Sequence, residues 1–171
     1  KMLNEFASKG ITSFVDKAGR SWDLSSYAEM AVRTVSSHAA LQGHIDRQVE
    51  VGEDLVKVSA IGTTCPICQR WQNVVLSISG NNPKYHSLES AKADGLFHPN
   101  CKHTLVMYIP ELDEGTENEG KAEPGPYDTN TQSSKQYFEV QKQRANERKI
   151  RYWKKRLALA LDDNEAQKCK D

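Results

Sequence analysis

The feature that most constrains this chain is a set of cysteines and histidines in two short segments. The first segment places Cys65 and Cys68 two residues apart, and the second brings His98, Cys101 and His103 together about thirty residues later. Thiolates and imidazoles in the order C-x2-C and then H-x2-C-x-H are typical of tetrahedral zinc sites. The spacing therefore predicts a bound zinc ion that joins two distant parts of the chain.

Two other interpretations of these cysteines stay open. Three of the four cysteines in the chain lie in the two segments, so a disulfide among them is one alternative and buried thiols without a metal are the other. A metal-ligand spacing fits a reducing cytoplasm better than it fits a secreted disulfide scaffold. The spacing therefore favours zinc binding over both alternatives.

Alternating apolar residues predict strands on both sides of each segment. Residues 55–60 and 74–78 follow a period of two and lie on either side of Cys65 and Cys68, which is the geometry of a zinc knuckle. A third strand is predicted at 102–109. Because successive side chains of an extended segment point to opposite faces, residues 101 and 103 share one face.

This parity argument selects the predicted metal ligands. The preferred set is Cys65, Cys68, Cys101 and His103, and His98 is either a substitute fourth ligand or a partner behind the ligands. Three sulfurs and one nitrogen leave no coordination position for water, which indicates a structural site. A histidine left free beside the metal would be able to act as a general base, so a catalytic alternative stays open.

Known zinc-enzyme motifs are absent from the sequence. A deaminase needs H-x-E before P-C-x2-C, and a metalloprotease needs H-E-x2-H on a helix. Neither pattern occurs. A compact metal-dependent nuclease or hydrolase remains the enzymatic alternative, and we lean towards a protein that is not an enzyme.

The segments before the first cysteine pair predict a hairpin and a long helix. Residues 11–22 read as two short strands around a turn that ends at Gly19, with Phe14 and Trp22 on one face. Ser26 and Glu29 form a capping box before a helix that ends near residue 52, with apolar residues on one stripe. The predicted fold is α+β: a long amphipathic helix packed on a small, mostly antiparallel sheet with a zinc knuckle, followed by a linker and a C-terminal helix.

Charge changes along the chain and divides it into three predicted parts. Residues 1–110 form the zinc-stabilised α+β domain, and residues 111–132 form an acidic, flexible linker rich in Glu, Gly and Pro. Residues 133–171 form a basic amphipathic helical tail capped by Ser133 or Ser134, with eight Lys and Arg against one Glu between positions 142 and 156. Three interpretations of the tail stay open: a solvated surface, a helix that docks on a protein, or non-specific contact with the DNA backbone.

Hydropathy and the start of the chain add two expectations. No apolar run is long enough to cross a membrane, so no membrane association is expected. The chain begins Lys1-Met2, which predicts that it is a fragment of a longer protein.

Three segments resemble one family. They are the run from Gly10 to Trp22, the segment Gly62-Thr63-Thr64-Cys65-Pro66-Ile67-Cys68, and Phe97-His98-Pro99-Asn100-Cys101-Lys102-His103. In these residues the chain resembles the phage minor capsid proteins of the Mu-F-like head morphogenesis family, over about residues 10–110. The family typically has Arg at the position of Lys102, which weakens any role for a guanidinium there.

The resemblance implies a function in the phage head. It implies a minor capsid or head morphogenesis component that associates with the portal or other capsid proteins and with packaged DNA, and that forms oligomers. The expected location is the virion interior, after assembly in the host cytoplasm. A toxin or effector domain carried by the virion is the third functional class, although the tail is too short and too helical to be such a toxin.

Overall fold

The computed structural model describes residues 13–113, 115 and 120–158 and has the predicted α+β architecture. The strands of this part of the chain are β1 (Ser13–Val15), β2 (Ser21–Asp23), β3 (Leu55–Val58), β4 (Val75–Ser77), β5 (His86–Ser87) and β6 (Leu105–Met107). Its helices are α1 (Leu24–Glu50), α2 (Pro66–Gln69), α3 (Leu88–Ala93), α4 (Pro110–Asp113) and α5 (Gln132–Ala158). Residues 11–12, the predicted start of the first hairpin strand, lie outside the described residues.

The hairpin of β1 and β2 forms around an aspartate, as its turn sequence predicts. Phe14 pairs with Trp22 across the two antiparallel strands, and Gly19 supplies a positive φ of 77°. Asp16 accepts hydrogen bonds from the backbone N–H groups of Ala18 and Arg20, and from Trp22 Nε1 at 2.9 Å. One carboxylate therefore fixes the turn and the aromatic side chain that faces α1.

Helix α1 begins earlier than the predicted capping box. Asp23 is its N-cap and accepts from the backbone N–H of Ser26 at 3.0 Å, so Ser26 lies inside the first turn. Only the C-terminal half buries apolar side chains, through Leu41 and Ile45. In the N-terminal half the half-buried face passes through Ala31 and Thr34, and Val35 lies beside it, 67% exposed.

The main sheet has four strands in the order β5-β4-β3-β6. Strand β3 lies at its centre and pairs antiparallel with β4 and β6, whereas β5 pairs parallel with β4. Val56 and Val58 of β3 pack with Leu41 and Ile45 of α1 in one hydrophobic core. The sheet is thus mostly antiparallel and the long helix packs on it, as predicted.

Residues 120–131 contact the fold at several points, first beside β4 and then at the end of α2. Val75 donates to the Lys121 carbonyl at 2.8 Å, and Lys121 donates to the Asn73 carbonyl at 2.7 Å. Gly125 donates to the Arg70 carbonyl at 2.8 Å. We call residues 120–131 the strap, because they lead from the sheet to α5; the division of the chain into three domains stays a prediction.

Helix α5 is fixed at its N-terminal end by polar contacts. Thr131, rather than Ser133 or Ser134, caps the helix, because its Oγ1 accepts a hydrogen bond from the backbone N–H of Ser134 at 3.1 Å. Ser134 is fully buried, with its Oγ 2.7 Å from Gln69 Oε1 and 2.9 Å from the Asp128 carbonyl. The helix therefore starts directly against the turn that carries Cys65 and Cys68.

Candidate metal centre

The first half of the cluster is built by the short helix α2. Pro66 occupies its first turn, where a missing N–H costs nothing, and Cys65 is its N-cap. The Cys65 Sγ accepts the backbone N–H of Cys68 at 3.5 Å. The helical turn points both thiols to one side, and Cys68 is only 1% exposed.

The second half of the cluster is a tight loop before β6. Cys101 donates its backbone N–H to the His98 carbonyl at 2.9 Å, and Asn100 inside this turn adopts a positive φ of 67°. Ser59, just after β3, donates to the Thr104 carbonyl at 3.0 Å, so the loop is fixed to the sheet. These bonds hold three ligand-type side chains at fixed positions.

All five predicted site residues meet in one cluster. The Cys65 Sγ lies 3.0 Å from His98 Nε2, the Cys68 Sγ lies 3.6 Å from the Cys101 Sγ, and the Cys101 Sγ lies 3.4 Å from His103 Nδ1. The ligand atoms form two groups, each within 4.8 Å, and Cys68 belongs to both. The three cysteines are free thiols rather than a disulfide.

Hydrogen bonding among these groups shifts their acidities strongly. Contact with the Cys68 thiol lowers the pKa of Cys65 and of Cys101 to about 4. The same two neighbours raise the pKa of Cys68 above its ordinary value. Contact with Cys65 raises the pKa of His98 to about 9. Two thiolates therefore form readily in this site, and thiolate is the form that binds a metal.

One sulfur–sulfur separation of the cluster is close to that of a tetrahedral zinc site, and one sulfur–nitrogen separation is shorter. Zinc–sulfur bonds of about 2.3 Å and zinc–nitrogen bonds of about 2.0 Å give tetrahedral edges of about 3.8 Å between sulfurs and about 3.6 Å between sulfur and nitrogen. The separation between Cys68 and Cys101 is 3.6 Å, and the separation between Cys65 and His98 is 3.0 Å. The cluster is able to hold a metal ion, and its sulfur-rich donor set favours zinc over hard cations such as magnesium.

The N-terminal half of α5 covers one side of the cluster, which the sequence did not indicate. A cavity of about 190 Å³ separates the two, and Tyr137, Arg144 and Lys102 line it beside the cluster residues. The backbone N–H of Thr64 donates to Ser133 Oγ at 3.1 Å. The contacts join residues almost seventy positions apart, so no local pattern reports them.

Three other ring side chains lie outside the cluster. His86 Nε2 is 2.7 Å from Glu123 Oε2 in the strap. His38 is exposed, and its Nε2 lies 2.9 Å from the Phe97 carbonyl. Trp71 is buried, and its Nε1 donates to Asp94 at 3.1 Å. None of these three pairs places a further side chain among the ligands.

Within the described residues no helix is both long enough and apolar enough to cross a membrane. A comparison with protein families matches residues 1–171, the whole chain, to phage minor capsid protein 2. Comparisons with curated proteins and with solved structures gave no match. The family match supports the resemblance to phage minor capsid proteins that the two cysteine segments carry.

Proposed function

Because the chain belongs to the phage minor capsid protein 2 family, we propose that it is a head morphogenesis component stabilised by one structural zinc ion. The observation that carries the zinc assignment is the convergence of α2 and the 98–103 loop on two groups of ligand atoms that share Cys68. Small proteins use such ions in place of a larger core, since metal binding adds directly to folding free energy. The zinc here would fix the loop that also receives α5.

A structural role fits the donor set better than a catalytic role does. The two groups of metal-ligand side chains found among the described residues contain only Cys and His. Three sulfurs and one nitrogen fill a tetrahedron, whereas catalytic zinc keeps one position for water. The cavity beside the cluster and its surplus histidine favour the alternative, a metal-dependent hydrolase or nuclease.

Metal content and activity separate these two roles. We expect one zinc per chain by elemental analysis of the protein purified without added metal. Chelation is expected to lower the midpoint of thermal unfolding, and DNA is expected to stay intact with the zinc-loaded protein. Zinc-dependent cleavage of DNA or a phosphodiester, abolished by His98→Ala in a folded variant, would contradict the structural assignment.

The second half of α5 is the surface we propose for capsid partners. Ile150, Tyr152 and Trp153 are between 40% and 54% exposed, on a helix whose surrounding charges are almost all basic. Exposed aromatic and basic side chains are enriched where proteins dock. We assign this surface to the portal or another capsid protein, in the virion interior, with Lys and Arg side chains contacting the backbone of packaged DNA.

Two binding measurements test the α5 assignment. We expect Tyr152→Ala with Trp153→Ala to weaken capture of the portal protein of the same phage by at least tenfold. Replacement of Arg148 and Arg151 by Gln is expected to reduce the salt dependence of binding to a random DNA duplex, because each lost phosphate contact removes released counterions. Unchanged capture of the portal protein and an unchanged salt dependence of DNA binding would contradict the assignment. Light scattering would measure how many copies of the chain assemble.

A further inference from the structure

The two histidines of the cluster make opposite hydrogen bonds, and the first of them is arranged as a ligand. His98 Nδ1 lies 2.8 Å from the Pro99 carbonyl oxygen, which can only accept. The proton of the neutral ring is therefore on Nδ1. The Nε2 atom keeps its lone pair and lies 3.0 Å from the Cys65 Sγ, inside the cluster. An N–H donated to a backbone carbonyl on the far side of the ring is the usual arrangement behind a metal-bound histidine.

His103 has the reverse arrangement because of one glutamine. Gln72 Nε2 lies 2.8 Å from the Ile61 carbonyl and 3.0 Å from His103 Nε2. The carbonyl needs a donor, which fixes the orientation of the amide and directs its second N–H at the imidazole. His103 Nε2 accepts this bond, so the ring proton is on Nδ1. Since an N–H nitrogen has no lone pair in the ring plane, Nδ1 is not free to coordinate.

The proton on His103 has an acceptor within the cluster. His103 Nδ1 lies 3.4 Å from the Cys101 Sγ, and the ring is only 2% exposed. This separation is also close to a tetrahedral edge, so distance alone does not distinguish the two histidines. The partner on the other side of each ring does distinguish them: a carbonyl acceptor behind His98 and an amide donor behind His103.

We propose that zinc is held by Cys65, Cys68, Cys101 and the Nε2 atom of His98, and that His103 is a positioning residue that donates from Nδ1 to the Cys101 thiolate. The inference rests on the proposed zinc site and replaces the ligand set that strand parity favoured. Gln72 and the Ile61 carbonyl fix the tautomer of His103. The hydrogen bond to sulfur withdraws charge from Cys101 and orients it towards the ion.

Cadmium-113 NMR of the full chain tests this ligand set without a mutation. In protein loaded with one ¹¹³Cd, we expect scalar coupling from the metal to the β protons of the three cysteines and to ring protons of His98. No coupling to His103 is expected, and the nitrogen-15 shifts of its ring should show a protonated Nδ1. Coupling to His103 in place of His98 would overturn the proposal. Failure to bind cadmium or zinc at all would instead overturn the proposed zinc site.

Cobalt spectra of matched variants provide the second test. His103→Ala is expected to keep the absorption of a cobalt ion with three sulfurs and one nitrogen, with an affinity about 10- to 100-fold lower. His103→Asn, which retains an N–H donor, is expected to recover part of that loss. His98→Ala is expected to change the ligand-field bands and to weaken binding further. The reverse pattern, in which His103→Ala loses the nitrogen ligand, would contradict the assignment; if a variant does not fold, the cadmium spectrum of the unmodified chain decides.

Discussion

Helices α1 and α5 each have 27 described residues, but they are attached to the rest of the fold by different kinds of contact. Helix α1 is held near its C-terminal end by the apolar side chains Leu41 and Ile45, which belong to the core. Helix α5 is held at its N-terminal end by hydrogen bonds from Ser134 and Thr131 to Gln69 of α2. The attachment of α1 therefore depends on buried area, and that of α5 depends on the shape of the turn that carries the cysteines.

The exposed surfaces of the two helices also differ in chemistry. Val32 and Val35 of α1 are 66% and 67% exposed on a helix with few charges nearby. The C-terminal half of α5 exposes Tyr152 and Trp153 among many basic side chains. The two helices therefore present an aliphatic surface and a basic aromatic surface.

The largest effect is expected from replacing Cys68, which belongs to both groups of ligand atoms beneath α5. Cys68→Ser removes the thiol common to both ligand groups. The proposed zinc would be lost with it, and zinc binding contributes on the order of 10 kcal/mol to folding in small zinc domains. We expect loss of bound zinc and of cooperative unfolding, measured by elemental analysis and calorimetry. His86→Gln is the control, since His86 contacts Glu123 outside the cluster. Full zinc content in Cys68→Ser would contradict the prediction.

A smaller effect is expected in the apolar attachment of α1. Ile45→Ala removes buried methyl groups from the core and is expected to lower the free energy of unfolding by about 2–4 kcal/mol. Val35→Ala on the exposed half should change it by less than about 0.5 kcal/mol. Urea unfolding of both variants measures the difference. Equal losses would mean that the two halves of α1 are packed alike.

The strap should tolerate a methyl group at one glycine and not at another. A Cβ at Gly120 would lie 2.0 Å from Val75 Cγ2, whereas a Cβ at Gly125 would lie 3.7 Å from the Arg70 carbonyl. Gly120→Ala is therefore expected to cost about 1–3 kcal/mol through overpacking. Gly125→Ala serves as the matched substitution and should cost much less in the same urea experiment. The opposite order would show that the strap leaves the sheet in solution.

Loss of one hydroxyl should loosen the start of α5 without affecting α1. Ser134→Ala removes the buried hydroxyl that donates to Gln69 Oε1 and lies 2.9 Å from the Asp128 carbonyl, at a cost of about 1–2 kcal/mol. Gln69 keeps its bond from Thr131. Hydrogen exchange measured by mass spectrometry should accelerate in the first turns of α5 and stay constant around Leu41. Gln143→Ala, on the exposed surface, should leave both regions unchanged. Faster exchange in both helices would mean that their attachments are coupled.

The smallest effect concerns the hairpin that packs on the start of α1. Donation from Trp22, followed by the backbone and side chain of Arg20, holds the pKa of Asp16 well below its ordinary value of 3.8. A lowered folded-state pKa stabilises the hairpin above pH 3.8, and this contribution is lost as the pH falls through the folded-state value. The NMR signal of the Trp22 indole N–H should therefore stay constant from pH 7 to about pH 4 and shift only below it. Asp16→Asn should produce the shifted signal at pH 7, and a signal that already shifts near pH 5 would contradict the prediction.

Local patterns predicted the parts of the molecule that nearby residues build. The turn at Asp16 and Gly19, the long helix and the C-x2-C turn each depend on contacts within a few positions. The start of α1 was placed too late because Ser26 and Glu29 imitate a capping box two residues inside the helix. The buried stripe of α1 was drawn too wide, because periodicity gives the approximate face of a helix but not how far around the helix its contacts extend.

The sequence by itself determined the ligand types and their two segments, because metal ligands need particular atoms at a spacing that a short loop can supply. Only the tertiary structure decided what surrounds them. The choice between His98 and His103 depends on Gln72, thirty-one positions before His103, and the cover of the cluster depends on Ser133 and Ser134 in α5. Hydrogen bonds between distant residues leave no periodic trace in a sequence, since they require one donor and one acceptor that only the fold brings together.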